Sequence, residues 1–174
     1  MTEGTATERA ERPSRNDRAL AGLRIAVSVF FLVFGSYKVL WTGFTLGGGF
    51  EHWINRWLDQ GEAYPFMVPV LRGFVLPLAT PIAFLVAYGE VAIGLSLLLG
   101  LFTRAASICG ILYMLALLFA SNYPGADAAP WKYFGASLSH SVFLCCFATF
   151  VLGNAERAWS VGGRVARRRR PPWG

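Results

Sequence analysis

The chain has 174 residues, of which 55% are hydrophobic and 15% charged, and its mean hydropathy is +0.45. Soluble domains carry about 25% charged residues, so this composition excludes an ordinary water-soluble enzyme, a disordered chain and a collagen-like fibre. It is typical of an integral membrane protein, and the length allows one domain of about four spans.

The net charge of +6 comes mainly from arginines near the two ends of the chain. Basic clusters that flank membrane spans set orientation and contact anionic lipid headgroups, so no nucleic-acid partner is expected. The clusters comprise Arg9, Arg12, Arg15 and Arg18 at one end, and Arg164, Arg167, Arg168, Arg169 and Arg170 at the other.

Uncharged windows in the sequence locate four apolar segments, each long enough to cross a bilayer core of about 30 Å. They predict an all-α fold, an integral membrane four-helix bundle over residues 19–158. A disordered basic cytoplasmic tail, residues 1–18, precedes the bundle, and a basic tail, residues 159–174, follows it. The spans are predicted at residues 20–41, 78–101, 105–126 and 133–155.

Four spans place both termini on one side of the membrane. The N-terminal segment, the turn after the second span and the C-terminal segment carry five, one and six arginines, whereas the opposite loops hold only Arg56, Arg72 and Lys132. The richer side is expected to be cytoplasmic, which predicts a multi-pass plasma-membrane protein with both termini inside. Residues 1–18 lack an apolar signal-peptide stretch, so the first span is expected to remain uncleaved.

The loop between the first two spans contains a pattern typical of a short amphipathic helix at residues 50–60, lying in the outer membrane interface. Its apolar residues recur at helical spacing, and they are Phe50, Trp53, Ile54, Trp57 and Leu58. A second apolar segment, residues 66–76, is too short to span and is expected at the outer mouth of the bundle. We favour an interface anchor as the role of this loop, with a lid or quinone entrance as the alternative.

Two charged residues, Lys38 and Glu90, lie inside the first and second predicted spans. An isolated charge in hydrocarbon costs about 2.5–3.5 kcal/mol, so each is expected to find a partner inside the bundle. Arg24 to Lys38 and Glu90 to Arg104 are both separations of 14 residues, or about 21 Å of helix. Because the spans run in opposite directions, an ion pair is predicted in the outer half, either as a structural clamp or as a proton relay or ligand-binding group.

Small residues are expected to bring the helices close together. Gly35 and Gly94 share helix faces with the two charges and would let the first two spans approach each other. Ala106 and Gly110 have the same spacing that favours close helix contact. That contact can form within one chain or between two, so a homo-oligomer stays open.

Further polar and aromatic residues fall near the same predicted depth. His140 and Asn122 lie about 25–27 Å along their helices from the inner side. Catalytic roles are predicted for Lys38, Glu90 and His140, the last as a secondary proton carrier, with a hydrogen-bonded structural histidine as the alternative. The predicted substrate or quinone-binding residues are Lys38, Glu90, Asn122, Tyr37, Tyr88 and Trp41.

The remaining candidates are assigned plainer roles. Arg24 and Arg104 are expected to contact headgroups at the inner interface through extended side chains. Three cysteines form no CxxC motif and are expected to pack as small apolar residues. They are Cys109, Cys145 and Cys146. The sequence contains no motif for a metal, haem or nucleotide, so none of these cofactors is expected.

Two segments resemble a known family. The string AYGEVAIGLSLLLGLFTRAAS and the spacing of an arginine before G–x–x–K in the first span resemble the DoxX family. The matching residues are Arg24, Gly35 and Lys38, then Glu90, Gly94, Gly100, Thr103 and Arg104. The segments VLPLATPIAFLVAYGE and NAERAWSVGG resemble its DoxD-like branch, the membrane subunit of thiosulfate:quinone oxidoreductase.

The resemblance implies a four-helix membrane subunit of a quinone-linked oxidoreductase, with thiosulfate oxidation coupled to quinone reduction. The implied cofactor is a membrane quinone that accepts electrons, and the implied partners are the lipid bilayer and a second membrane or soluble redox subunit. Whether the chain is itself an enzyme stays open. The alternatives are a non-catalytic membrane anchor or scaffold for a soluble redox enzyme, and a small-solute transporter.

Overall fold

The computed structural model describes residues 13–135, 138–153, 155 and 158–161. Within these residues 75% are helical and none is in a strand, as the all-α prediction requires. In chain order the helices are α1 (Arg15–Leu40), α2 (Thr42–Thr45), α3 (Gly49–Asp59), α4 (Val68–Val70), a π-helical turn (Leu71–Val75), α5 (Ala79–Leu99), α6 (Thr103–Ser121), α7 (Lys132–Gly135) and α8 (Leu138–Leu152).

Helix α1 begins at Arg15, inside the segment that the sequence assigned to a disordered tail. Ser14 caps it, because its hydroxyl accepts a hydrogen bond from the Asp17 backbone at 3.1 Å while the Asp17 carboxylate accepts from the Ser14 backbone at 2.9 Å. This reciprocal capping box satisfies two backbone donors that a helix start leaves unpaired. The rest of that tail, residues 1–12, and residues 162–174 of the other tail lie outside the described residues.

In the part of the chain that the structure describes, three helices are long and apolar enough to cross a membrane: α1, α5 and α6, which correspond to the first three predicted spans. Helix α6 ends at Ser121, five residues before the predicted limit of residue 126. Pro124 explains this end, since a proline disfavours helical geometry in the residue before it and supplies no backbone donor.

Within the fourth predicted span, residues 133–155, the structure describes residues 133–135 of α7 and the whole of α8, and residues 136 and 137 between them lie outside the described residues. The described residues of α8 are 15 in number and apolar, and they make about 22 Å of helix. Glycine is a poor helix former, and Gly153 directly follows the end of α8. A count of four membrane spans therefore stays an expectation, and three candidate spans are present among the described residues.

The long loop after α1 folds over one end of the bundle, which we call the loop end; the opposite end, at the α5–α6 connection, is the turn end. Helix α3 occupies Gly49–Asp59, close to the predicted residues 50–60, and buries Phe50 and Ile54. The Tyr64 backbone donates to Phe119 at 2.9 Å, and Tyr123 donates to Glu62 at 2.7 Å. These two bonds attach the loop to the end of α6.

Two hydrophobic clusters fill the structure. The bundle cluster, toward the turn end, comprises Val27, Phe31, Ile93, Leu97, Ala106, Met114, Phe147, Phe150 and Ala155. The loop cluster comprises Phe44, Phe50, Ile54, Ala63, Leu71, Ala83, Ala87 and Ala120. Helices α1 and α5 form the most extensive contact, followed by α6 and α8.

Glycine residues, which have no side chain, allow these close contacts between helices. A Cβ atom at Gly35 would lie 2.9 Å from the Glu90 Cβ atom. The backbones of α1 and α5 are therefore too close at the level of Glu90 for any side chain larger than that of glycine. A Cβ atom at Gly110 would lie 2.5 Å from the Phe147 ring. The Ala106–Gly110 face thus receives α8 of the same chain.

Gly35→Ala is expected to destabilise the protein, because the added methyl group overlaps α5; overpacking of this kind costs about 1–3 kcal/mol. Gly89→Ala is the matched control, since a Cβ atom there meets nothing within 4 Å. Thermal unfolding in detergent, followed by circular dichroism, measures both. Equal melting temperatures for the two variants would contradict the close α1–α5 contact.

The number of spans can be tested with epitope tags at both termini and a third tag inserted after Gly125, in the loop between α6 and α7. If α8 crosses the membrane, protease added to sealed, oriented vesicles digests both terminal tags together, or spares both together, while the inserted tag behaves in the opposite way. Terminal tags on opposite sides would show that α8 does not cross.

Candidate functional site

The predicted ion pair is present and belongs to a three-residue group. Lys38 Nζ donates to Glu90 Oε1 at 2.5 Å, and the Tyr113 hydroxyl donates to the same oxygen. Lys38 Nζ also lies 3.4 Å from the Tyr113 hydroxyl oxygen. We call Lys38, Glu90 and Tyr113 the triad; it joins α1, α5 and α6.

The triad lies where the two hydrophobic clusters meet. One turn of α5 to either side of Glu90, Ala87 belongs to the loop cluster and Ile93 to the bundle cluster. The Phe44 ring of α2 lies 5.5 Å from Lys38 Nζ, a cation–π distance, and closes the loop end. The Glu90 side chain is 6% exposed and that of Lys38 is 22% exposed, so lysine is the more open partner.

Helix geometry explains how the charges meet although Lys38 lies two residues from the end of α1. The sequence analysis counted about 21 Å of helix from Glu90 to Arg104. Helix α5 ends at Leu99, however, so Glu90 is only about 14 Å from the turn end. Side chains tilt toward the N-terminus of their helix, and antiparallel neighbours therefore tilt toward each other's level. The long Lys38 side chain covers the remaining distance.

Tyr113 was missed in the sequence analysis, although the sequence contains a signal for it. Helices α5 and α6 form a hairpin around residues 100–102, and Glu90 and Tyr113 are separated from Leu101 by 11 and 12 residues. Residues at equal distance from a short turn lie side by side in antiparallel helices. Counting outward from the turn places the phenol beside the carboxylate.

His140 and Asn122 form a second, separate pair. Asn122 Nδ2 lies 3.2 Å from His140 Nδ1 and donates to Ser121 Oγ at 2.8 Å. This contact and the bond to Ser121 fix the Asn122 amide against the His140 ring. Asn122 follows Tyr113 by nine residues, about 14 Å of helix, which places this pair nearer the loop end than the triad.

The three aromatic candidates lie on the outside of the helices. Tyr37 and Trp41 are exposed and pack on each other, with ring centroids 5.6 Å apart. Tyr88 is exposed and stacks on Phe84 at 6.1 Å. None of these contacts involves a triad side chain.

Tyr64, in the loop, is surrounded by aromatic rings. Its ring centroid lies 5.1–5.8 Å from those of Phe66, Phe119 and Tyr123. Burial raises the pKa of the Tyr64 phenol, and the neighbouring Tyr133 and Tyr123 raise it further. Tyr64 therefore stays neutral and serves to hold the loop end together.

Arg24 does not extend to a headgroup layer, as the sequence analysis expected. It is completely buried, and its Nη2 atom donates to the Trp159 carbonyl at 2.9 Å. Gly100 makes this possible, because a Cβ atom there would lie 1.9 Å from Arg24 Nη1. Arg104 is exposed. Arg24 therefore attaches residues 158–160 to the turn end from inside the protein.

The cysteines and metal-ligating side chains add no further site within the part of the chain that the structure describes. Cys109, Cys145 and Cys146 are free thiols, the first two of them exposed. No group of three His, Cys, Asp or Glu side chains in that part is arranged to hold a metal ion.

The hydrogen bonds within the triad show which of its donors and acceptors are already used. Glu90 Oε1 takes both donors, whereas Glu90 Oε2 is buried and accepts no hydrogen bond from the described residues. An ammonium carries three N–H donors. Two of those on Lys38 point to Glu90 and Tyr113, so among the described residues one N–H group of Lys38 and one oxygen of Glu90 remain without a hydrogen-bond partner.

Comparison with known proteins identifies the family. The family model described as DoxX matches residues 19–122, a stretch that contains all three triad residues, and the chain belongs to the DoxX family. This is a family of membrane proteins often tied to redox or quinone-related function. No curated protein and no solved structure matches the chain significantly.

Removing one charge of the triad is expected to destabilise the protein strongly, because the other charge stays buried without its partner; such losses are about 3–5 kcal/mol. Lys38→Met and Glu90→Gln are each expected to lower the melting temperature, and the double variant to recover part of the loss. Lys132→Met and Glu51→Gln, at exposed positions, are the matched controls. If the single variants were as stable as these controls, the ion pair would not contribute to the stability of the fold.

Proposed function

We propose that this member of the DoxX family is the membrane subunit of a quinone-linked oxidoreductase, and that the triad binds the quinone. The observation that carries the proposal is a buried lysine–glutamate–tyrosine group among helices long and apolar enough to lie in a lipid bilayer. Ionisable residues within membrane helices are costly and commonly mark ligand or proton sites.

The hydrogen-bond donors and acceptors of the triad suit both the quinone and the hydroquinone formed from it. A quinone carbonyl accepts hydrogen bonds only, and the Lys38 ammonium is the donor available to it. Reduction consumes two electrons and two protons and yields a hydroquinone. Lys38 orients the carbonyl and stabilises the negative charge that develops on its oxygen, while Glu90 and Tyr113 hold the ammonium in place.

The electrons come from a reductant outside the triad. We propose thiosulfate, since the resemblance to the DoxD-like branch suggests it: two thiosulfate ions form one tetrathionate and release the two electrons that the quinone takes up. A second redox subunit, membrane-bound or soluble, is the proposed partner in this transfer. His140 is the proposed secondary proton carrier, with Asn122 orienting its ring.

We place the protein in the plasma membrane with both termini in the cytoplasm. The support for this orientation is the distribution of arginines in the sequence, which favours the side that holds both tails and the α5–α6 turn. The aromatic residues Tyr37, Tyr88 and Trp41 then line the outside of α1 and α5, where a quinone dissolved in lipid first meets the protein.

Quinone reduction by thiosulfate tests the proposal. The full chain, purified with its co-purifying proteins, is assayed for thiosulfate-dependent reduction of a short-chain ubiquinone by absorbance. Lys38→Met and Glu90→Gln are expected to lower kcat/KM by at least about tenfold, the loss of one charge-assisted hydrogen bond. Lys132→Met and Glu51→Gln serve as charge-matched controls with unchanged rates.

The outcomes separate the alternatives. If the complex is active and both triad variants retain full activity, the chain is an anchor for a catalytic partner and the triad is a structural clamp. If the complex shows no quinone reduction and proteoliposomes of the chain alone accumulate a solute without quinone, the protein is a transporter.

A further inference from the structure

We infer that the triad selects ligands that present a hydroxyl group, and so holds the reduced, hydroquinone form more tightly than the quinone. This inference deepens the proposed function, since it concerns the same site. The structural basis is the asymmetry of the Glu90 carboxylate, one oxygen of which takes two donors while the other takes none from the described residues.

The acceptor is Glu90 Oε2. Its side chain is 6% exposed, so water is a poor substitute for a protein donor at this atom. A buried carboxylate oxygen without a donor favours any ligand that brings an O–H group to it, and charge makes that hydrogen bond stronger than a neutral one.

The donor is the third N–H group of Lys38. The same ammonium already contacts Glu90 Oε1, so the free donor and the free acceptor belong to directly bonded side chains. A hydroxyl group donates and accepts through a single oxygen atom. It can therefore donate to Glu90 Oε2 and accept from Lys38, whereas a carbonyl or ether oxygen can use only Lys38.

The surroundings of Lys38 indicate an apolar ligand. Phe34 lies on the same stripe of α1 as Lys38, four residues before it, Tyr37 is adjacent to Lys38, and Trp41 directly follows the end of α1. All three are exposed at a helix long and apolar enough to span a membrane. Lys38 is also the more exposed of the two charged members of the triad, so a ligand reaches the group from the Lys38 side. The ligand thus approaches from the lipid side and carries a hydrocarbon tail.

A pair of redox-inert probes tests the selection directly. 4-Nonylphenol carries the hydroxyl group, and 4-nonylanisole replaces its hydrogen with a methyl group while keeping ring and tail. Binding of each to the full chain in nanodiscs is measured by calorimetry, with empty nanodiscs of the same lipid correcting for partition. The phenol is expected to bind at least about tenfold more tightly than the anisole, as one charge-assisted hydrogen bond predicts.

Glu90→Gln assigns the preference to the carboxylate. The amide keeps the size of the side chain, removes its charge and presents an N–H group as readily as an oxygen, so the phenol preference is expected to disappear. Glu51→Gln is the matched control and is expected to keep it. Equal affinities for the two probes in the unmodified chain would overturn the inference, and so would a preference that survives in folded Glu90→Gln protein.

The test is independent of the redox reaction, because neither probe is a quinone. If the chain prefers the phenol but its complex with the co-purifying proteins shows no quinone reduction, the proposed function is refuted and the hydroxyl site stands. A chain that reduces quinone but binds both probes equally would refute the hydroxyl selection alone.

Discussion

The structure depends on one constraint, that a lysine and a glutamate placed in apolar helices must neutralise each other. Either charge alone is unfavourable in an apolar environment, and together they are tolerable only at hydrogen-bond distance. Lys38 and Glu90 reach 2.5 Å, and Gly35 makes this possible by removing the side chain that would separate α1 from α5 at the level of Glu90. Tyr113 then fixes the same carboxylate oxygen from α6.

This constraint also organises the hydrophobic core. Polar side chains at the junction of α1, α5 and α6 divide the apolar residues into a bundle cluster and a loop cluster, because neither can extend through the triad. The loop after α1 supplies most of the second cluster, and its Phe44 lies against the Lys38 ammonium. The loop therefore packs directly against the triad, and this packing keeps the charges away from water at the loop end.

Three polar groups lie at different positions along the bundle, and each has a different role. At the turn end, buried Arg24 holds the segment that contains Trp159. At the loop end, Asn122 and His140 pair with each other. Between them, the triad is the group in which a carboxylate oxygen remains buried without a donor among the described residues, and the proposed ligand site rests on this oxygen.

The sequence alone determined the membrane class, the three long apolar helices and the amphipathic helix in the first loop, because each follows from local composition and periodicity. It also determined the Lys38–Glu90 pair, since the cost of isolated charges and antiparallel spacing left few partners. Only the tertiary structure decided what depends on which way side chains face. The tertiary structure separates His140 and Asn122 from the triad and adds Tyr113 to it. It also buries Arg24 and places Tyr37, Tyr88 and Trp41 on the outside. The direction in which each side chain points is set by helix packing and turn geometry rather than by spacing along one helix.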